Sequence, residues 1–154
     1  MTDHTRYTSP LSERYASRAM LELWSPQRRH RTWRELWLAL AEAERELGAS
    51  DEHGRPLISD EGIAQMRAHL DEIDFDAARD LERRFRHDVM AHVETFAKAA
   101  PAARAFIHLG ATSAFVTDNA DLVLMREGLG LLRAKIVDAL GTLATFARRW
   151  ASEP

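Results

Sequence analysis

"DNADLVLMREGLGLLRAKIVDALGTLATFARRW", Asp118 to Trp150, is the stretch whose reading decides the fold. Leu122, Met125, Leu129, Leu132, Ile136, Ala139, Leu143, Phe146 and Trp150 follow one another at alternating steps of three and four residues. That is heptad spacing held over about four heptads, so it requires a helix whose apolar seam faces other helices. Leu124, Leu131 and Leu140 widen the stripe beyond a single seam and predict contact with more than one neighbour. Gly128, Gly130 and Gly141 cost helix propensity, which close helix–helix approach would offset. About 34 residues at 1.5 Å each give a rod of roughly 50 Å. A compact globule of this length is only roughly 40 Å across, so the helix overhangs whatever the preceding residues build. The sequence runs out at "RRWASEP" with no closing signal, and the chain is expected to be one piece of a larger helical assembly.

Working back from that helix, the rest of the chain also reads as helical. Ser25-Pro26 is an N-cap followed by proline at the first helical position, and Gly48 is a C-terminal stop. Between them Trp33, Leu36, Trp37, Leu40 and Leu47 share a face. The charges of this helix run against the macrodipole, with Arg28, Arg29 and Arg31 near its start and Glu42, Glu44 and Glu46 near its end. Either an anion site at "RRHR" or acidic partners from elsewhere in the fold would account for that. A polar loop over 49–58 precedes a short helix after Ser59, with Ile63, Met66 and Leu70 inward. A further helical region covers about 76–100, with Ala78, Leu81, Phe85, Val89, Val93 and Phe96 in phase. After Pro101, "FIHLGATSAF" breaks the helical pattern at Gly110 and its hydroxyl residues, and reads as a loop.

Composition sets outer limits on function. With 154 residues and 45% hydrophobic content the chain is about one domain long and can bury a core. Its 21 basic and 24 acidic residues give a net charge of −3, unlike a general polyanion binder, so no nucleic-acid partner is expected. There is no cysteine, which removes disulfides and thiolate metal sites. The opening "MTDHTRYTSPLSER" has no apolar core of a secretory signal, and no apolar run reaches spanning length. A soluble, cytoplasmic protein without a membrane partner is the expectation.

Two polar clusters remain. In "RRFRHDVMAHVETF" (Arg83–Phe96), His87 and His92 are five apart, about 140° around a helix, and cannot share a metal as an i,i+4 pair does. A salt-bridge stripe on a solvated surface is the plain reading. Against it, Arg86-His87-Asp88 falls between the in-phase residues Phe85 and Val89. If the helix breaks there, Asp88 could cap a new helix and leave Arg86 and His87 at its positive end, a place that favours anions. In "HLGATSAFVTDN", Gly110 permits unusual backbone angles, and Thr112 and Ser113 put hydroxyls just ahead of the long helix. That suits a carboxylate or phosphate cradle, or simple N-capping by Thr112, Ser113, Thr117 or Asp118. His108 reads as structural.

"RYTSPLSERYAS" (Arg6–Ser17), "RTWRELWLALAEAERELG" (Arg31–Gly48), "RFRHDVMAHV" (Arg84–Val93) and "IHLGATSAFVTDNADL" (Ile107–Leu122) occur in the order and spacing of the adenylosuccinate lyases. The chain resembles that family over nearly its whole length, and looks closest to the branch that includes the animal enzymes. "HLGATS" alone would point only to the wider fumarase/aspartase superfamily. The resemblance implies an all-α fold, with an N-terminal helical domain over 1–111 leading into the first long helix of a central bundle over 112–154. It further implies a homotetramer, active sites shared by three subunits, and no metal or organic cofactor. The substrates implied are the nucleotide adenylosuccinate, cleaved to AMP and fumarate, and the succinylated carboxamide ribotide of purine synthesis. By the same resemblance Thr112 and Ser113 contact the succinyl part, and Arg86, His87 and Asp88 line the site, His87 in a supporting acid–base role. Arg14 and Tyr15 match the pair that binds the nucleotide part, and Arg14 suits a phosphate. Asp118 and Asn119 match the motif without a separate role.

The family's general-acid histidine, in a Thr-His motif, and its catalytic serine, in a mobile loop, are both absent from these residues. The chain alone is therefore expected to be inactive. Two other readings stay open: a non-catalytic helical assembly module, and a sister lyase such as argininosuccinate lyase.

Overall fold

Serine and aspartate side chains fix where the first helices begin. The structure, a computed structural model, describes residues 9–153. Arg6–Thr8 of the first motif, and Pro154, lie outside the described residues. Among the described residues there are six α-helices: α1 (Arg18–Leu23), α2 (Pro26–Glu46), α3 (Asp60–Ala68), α4 (Phe75–Phe85), α5 (Asp88–Ala99) and α6 (Ser113–Trp150). A π-helical turn covers Leu11–Tyr15 and a 3-10 turn Pro101–Ala103. Ser25 Oγ accepts the Arg28 N–H at 3.2 Å, Ser59 Oγ the Gly62 N–H at 3.1 Å, and Asp74 Oδ1 the Ala77 N–H at 2.9 Å. Each satisfies one of the donors a helix start leaves free. Among the described residues the only extended pairing is an isolated bridge between Ser50 and Pro56. The fold is all-α, as expected.

The chain divides into two compact units. Ser25–Asp121 forms one; the described residues before Ser25, with those from Leu122 onward, form the other. The core of the first gathers Trp33, Trp37, Leu38 and Ala41 of α2, Ile63 and Met66 of α3, and Val89, Val93 and Phe96 of α5, joined by Phe106 and Ile107 of the following turns. Leu47, in phase with the buried face of α2, is exposed, because the helix ends at Glu46 and Gly48 turns the chain at φ +75°.

The cations at the start of α2 find acidic partners within the fold. Arg31 pairs with Glu35 and with Asp71 at 2.7 Å, and Arg29 lies 3.8 Å from Asp121. Arg34 is 2% exposed, buried where charge alone would place it at the surface. Its guanidinium donates to the backbone carbonyls of His69 and, at 2.9 Å, of Glu72, just past the end of α3. It also lies 4.5 Å from the centroid of the Phe96 ring. Burial lowers its pKa to about 10, so it stays charged at neutral pH.

Gly62 is the tightest position of this core. A Cβ there would overlap Phe106 Cζ and stand 2.9 Å from the Ala102 carbonyl oxygen. Gly62→Ala is therefore expected to cost about 1–3 kcal/mol, as overpacking does. A lowered urea midpoint with unchanged slope would register it; an unchanged midpoint would show that Phe106 moves aside freely.

Helix α6 runs for 38 residues, about 57 Å at 1.5 Å per residue, and from Leu122 onward it belongs to the second unit. Gly128 faces the end of α1: a Cβ there would sit 3.6 Å from Leu23 Cδ2 and 3.7 Å from Trp24 Nε1. Close approach thus accounts for one of the three helix glycines, whereas Gly130 and Gly141 have no neighbour within 4 Å. Leu129, Leu132, Ile136, Leu143 and Phe146 of the heptad stripe are all exposed.

Candidate functional site

The helical region expected over about 76–100 is two helices, and the break between them creates the site. Arg86 adopts a left-handed conformation, φ 55° and ψ 35°, and closes α4 by donating its N–H to the Glu82 carbonyl at 2.7 Å. A non-glycine residue there is held in a sparsely populated region, a form of strain found disproportionately at functional sites. His87 is extended and caps α5, with Nδ1 accepting the Met90 N–H at 3.4 Å. The cap is His87 rather than Asp88. Asp88 is the first residue of α5, and its Oδ1 accepts the Val89 N–H at 2.7 Å. A carboxylate at that helix end is favoured by the macrodipole. Phe85, in phase with the buried residues, lies half-exposed beside the break.

The cap also fixes which nitrogen of His87 carries the proton. With Nδ1 accepting from Met90, the neutral ring is protonated on Nε2. That nitrogen lies 3.2 Å from Ser113 Oγ and donates to it. Ser113 is the first residue of α6, so one hydrogen bond joins the N-terminal ends of a 12-residue and a 38-residue helix. Both ends carry partial positive charge and unpaired N–H groups, an arrangement suited to anions. With its oxygen accepting from His87, the Ser113 hydroxyl proton is free to point at a ligand.

Arg86, His87 and Asp88 line a cleft of about 580 Å³ together with Arg79, Glu82 and Arg83. Arg79 and Arg83 are paired with Asp76 and Asp80 at 2.8 and 3.0 Å, while Arg86 has no ion-pair partner among the described residues. Thr112 immediately precedes Ser113, and its carbonyl accepts the Phe115 N–H at 2.9 Å. The other polar residues of the motif are engaged locally: Thr117 donates to Asp118 Oδ1 at 2.8 Å, and Asn119 to the Phe115 carbonyl at 2.7 Å. Arg14 and Tyr15 belong to the other unit, at the end of the Leu11–Tyr15 turn, where Tyr15 is exposed. Among the described residues no three His, Cys, Asp or Glu side chains converge as a metal site would need. No helix among them is long and apolar enough to cross a membrane.

His108, read from the sequence as structural, has a partner that the sequence did not indicate. His108 sits at φ 66°, two residues before Gly110 at φ 64°, and Nδ1 accepts the indole N–H of Trp37 at 3.0 Å. Burial, and secondarily the nearby His87, hold its pKa below the usual imidazole value. The 71-residue separation of Trp37 and His108 leaves no local pattern to find.

The comparisons with known proteins bear on this geometry. An adenylosuccinate lyase of Saccharomyces cerevisiae is 47% identical over 100% of this chain and 31% of that protein. The adenylosuccinate lyase of Schizosaccharomyces pombe is 46% identical over the same shares. That of Schistosoma mansoni is 45% identical over 96% of this chain and 29% of its own length. At family level the chain matches the adenylosuccinate lyases. It spans about a third of the length of the curated relatives it matches. No family model matches it.

Proposed function

We propose that these residues form one wall of the active site of an adenylosuccinate lyase. The observation that carries the reading is the His87–Ser113 hydrogen bond, which brings two helix N-termini to one point beside Arg86 and Asp88. The reaction is a β-elimination. A base takes a proton from the carbon beside one succinyl carboxylate, the C–N bond on the adjacent carbon breaks, and an acid protonates the departing nitrogen. Fumarate leaves, with AMP as the other product, and the succinylated carboxamide ribotide reacts in the same way. Before the C–N bond breaks, negative charge gathers on the carboxylate beside the deprotonated carbon, where preorganised donors are most effective. Ser113 Oγ–H, Thr112 and the free N–H groups of α6 supply such donors. His87 holds Ser113 and supports proton transfer, and Arg86, without an ion-pair partner among the described residues, adds a positive charge. Arg14 and Tyr15 take the nucleotide part, with Arg14 on the phosphate.

The elimination moves protons and one C–N electron pair, so the proposal involves no metal or organic cofactor. The principal acid and base are assigned to motifs outside these residues, and the activity is proposed for a polypeptide of the relatives' length. A cytoplasmic homotetramer, with residues 1–111 as a helical domain and 112–154 as the start of a bundle, completes the reading. The exposed apolar stripe of α6 supports it.

In that longer polypeptide, Ser113→Ala is expected to lower kcat for fumarate release about 100-fold, the effect of losing one such donor. Arg14→Ala should instead raise KM, as lost ground-state binding does. Unchanged rates in both variants would favour an assembly module over a lyase site. Insensitivity to Arg14→Ala alone would favour a sister lyase whose substrate carries no phosphate.

A further inference from the structure

Two imidazoles between α2 and α5, His92 buried and His30 half-buried, take no part in the chemistry above. His30 and His92 stack with ring centroids 3.8 Å apart and planes 19° from parallel. Trp33 meets both edge-on, at 4.7 and 5.6 Å, and Phe75 at the start of α4 does the same at 5.7 and 6.5 Å. His30 Nδ1–H donates to the Pro26 carbonyl at 2.9 Å, which ties the stack to the first turn of α2. His92 is 8% exposed and stands one helical turn after Asp88 on α5.

Face-to-face contact suits two neutral rings and opposes charge on both at once. The charged groups facing the pair are Arg29 and Arg34 from α2 and Asp88 from α5, while α4 contributes the uncharged Phe75 ring. Both arginines repel an added proton, as would the other ring once charged. The Pro26 carbonyl favours one on His30, and of the charged groups only Asp88, itself in the cleft beside His87, favours one on either ring.

We propose that the His30–His92 stack is a proton-sensitive latch that seats the first turn of α5, and with it His87 and Asp88, against α2. The significance given to His87 and Asp88 rests on the lyase reading, but the latch is tested without any activity.

Burial, then His30 and Arg34, lower the pKa of His92 to about 3, and burial lowers that of His30. Unfolded imidazoles titrate near 6.5, at about the ordinary value. A base whose pKa is depressed by folding is destabilised by acid: the latch holds fully above about pH 6.5 and is lost as pH falls towards about 3.

The test follows Trp fluorescence and the histidine Cε1–H resonances of the 154-residue chain during acid titration, beside the His30→Phe/His92→Phe variant. In the wild type His92 should be neutral at pH 6, and both rings should take up protons only below the ordinary imidazole range, as the native tryptophan signal disappears. The Met90 amide, bonded to His87, should lose exchange protection in the same step. The variant keeps two aromatic rings without a titrating nitrogen, and its acid midpoint should fall by about one pH unit or more. A variant that is folded at pH 7 with an unshifted midpoint overturns the latch. If the variant does not fold, the wild-type resonances decide: either ring titrating near pH 6.5 with the native signals intact overturns it. Inactivity of the longer polypeptide would overturn the lyase reading and leave these spectra unaffected.

Discussion

Trp37→Ala is expected to cost the Ser25–Asp121 unit about 3–5 kcal/mol, much of the stability of an ordinary domain. Trp37 is 1% exposed and lies between Trp33 and Phe96, with ring centroids 6.2 Å away on both sides. Truncation leaves a cavity whose walls belong to α2 and α5, and neither helix can close it without moving the other. It also strips the donor from His108 Nδ1, whose 3.0 Å bond to the indole orients that imidazole. Trp37→Phe separates the two effects: it keeps most of the ring and loses the hydrogen bond, worth about 1 kcal/mol. Urea unfolding followed by far-UV circular dichroism measures both. A loss below about 1 kcal/mol for the alanine variant would mean that the site collapses around the gap, contrary to this packing.

His87→Asn should leave stability nearly unchanged and remove most activity from a lyase that contains this segment. Asparagine is among the best N-cap residues, so the Met90 N–H keeps an acceptor and α5 its start. Its shorter side chain carries no ring nitrogen to reach Ser113 Oγ, now bonded to His87 at 3.2 Å. His87→Ala loses both functions and should cost about 1 kcal/mol of stability as well. A merely structural histidine would give the opposite ranking, with asparagine restoring activity along with the cap. The expected fall for asparagine is about 100-fold in kcat, at the lower end for a group that assists proton transfer.

Periodicity made the long helix legible, since heptad spacing from Leu122 to Trp150 admits no other structure. Ser25-Pro26 and Gly48 bounded α2 because a cap and a left-handed glycine are local requirements, readable from single residues. The break at Arg86–His87 was visible only as a conditional. Ala78, Leu81, Phe85, Val89 and Val93 keep helical phase across it, and no glycine or proline marks the left-handed residue. Arg34 was hidden for a different reason: its burial depends on two carbonyls at His69 and Glu72, 35 and 38 residues away. The same holds for the site. Residue types and motif order indicated Arg86, His87, Asp88, Thr112 and Ser113, but the 26-residue reach from His87 to Ser113 belongs to tertiary packing.

The most direct measurement is fumarate release from adenylosuccinate by a polypeptide that contains this segment and spans the full length of its relatives, wild type beside His87→Asn. The expected result is steady release by the wild type and about a 100-fold slower rate in the variant, with matching unfolding curves. Equal rates in the two proteins, or no release by the wild type, would contradict the assignment of this wall to a lyase site.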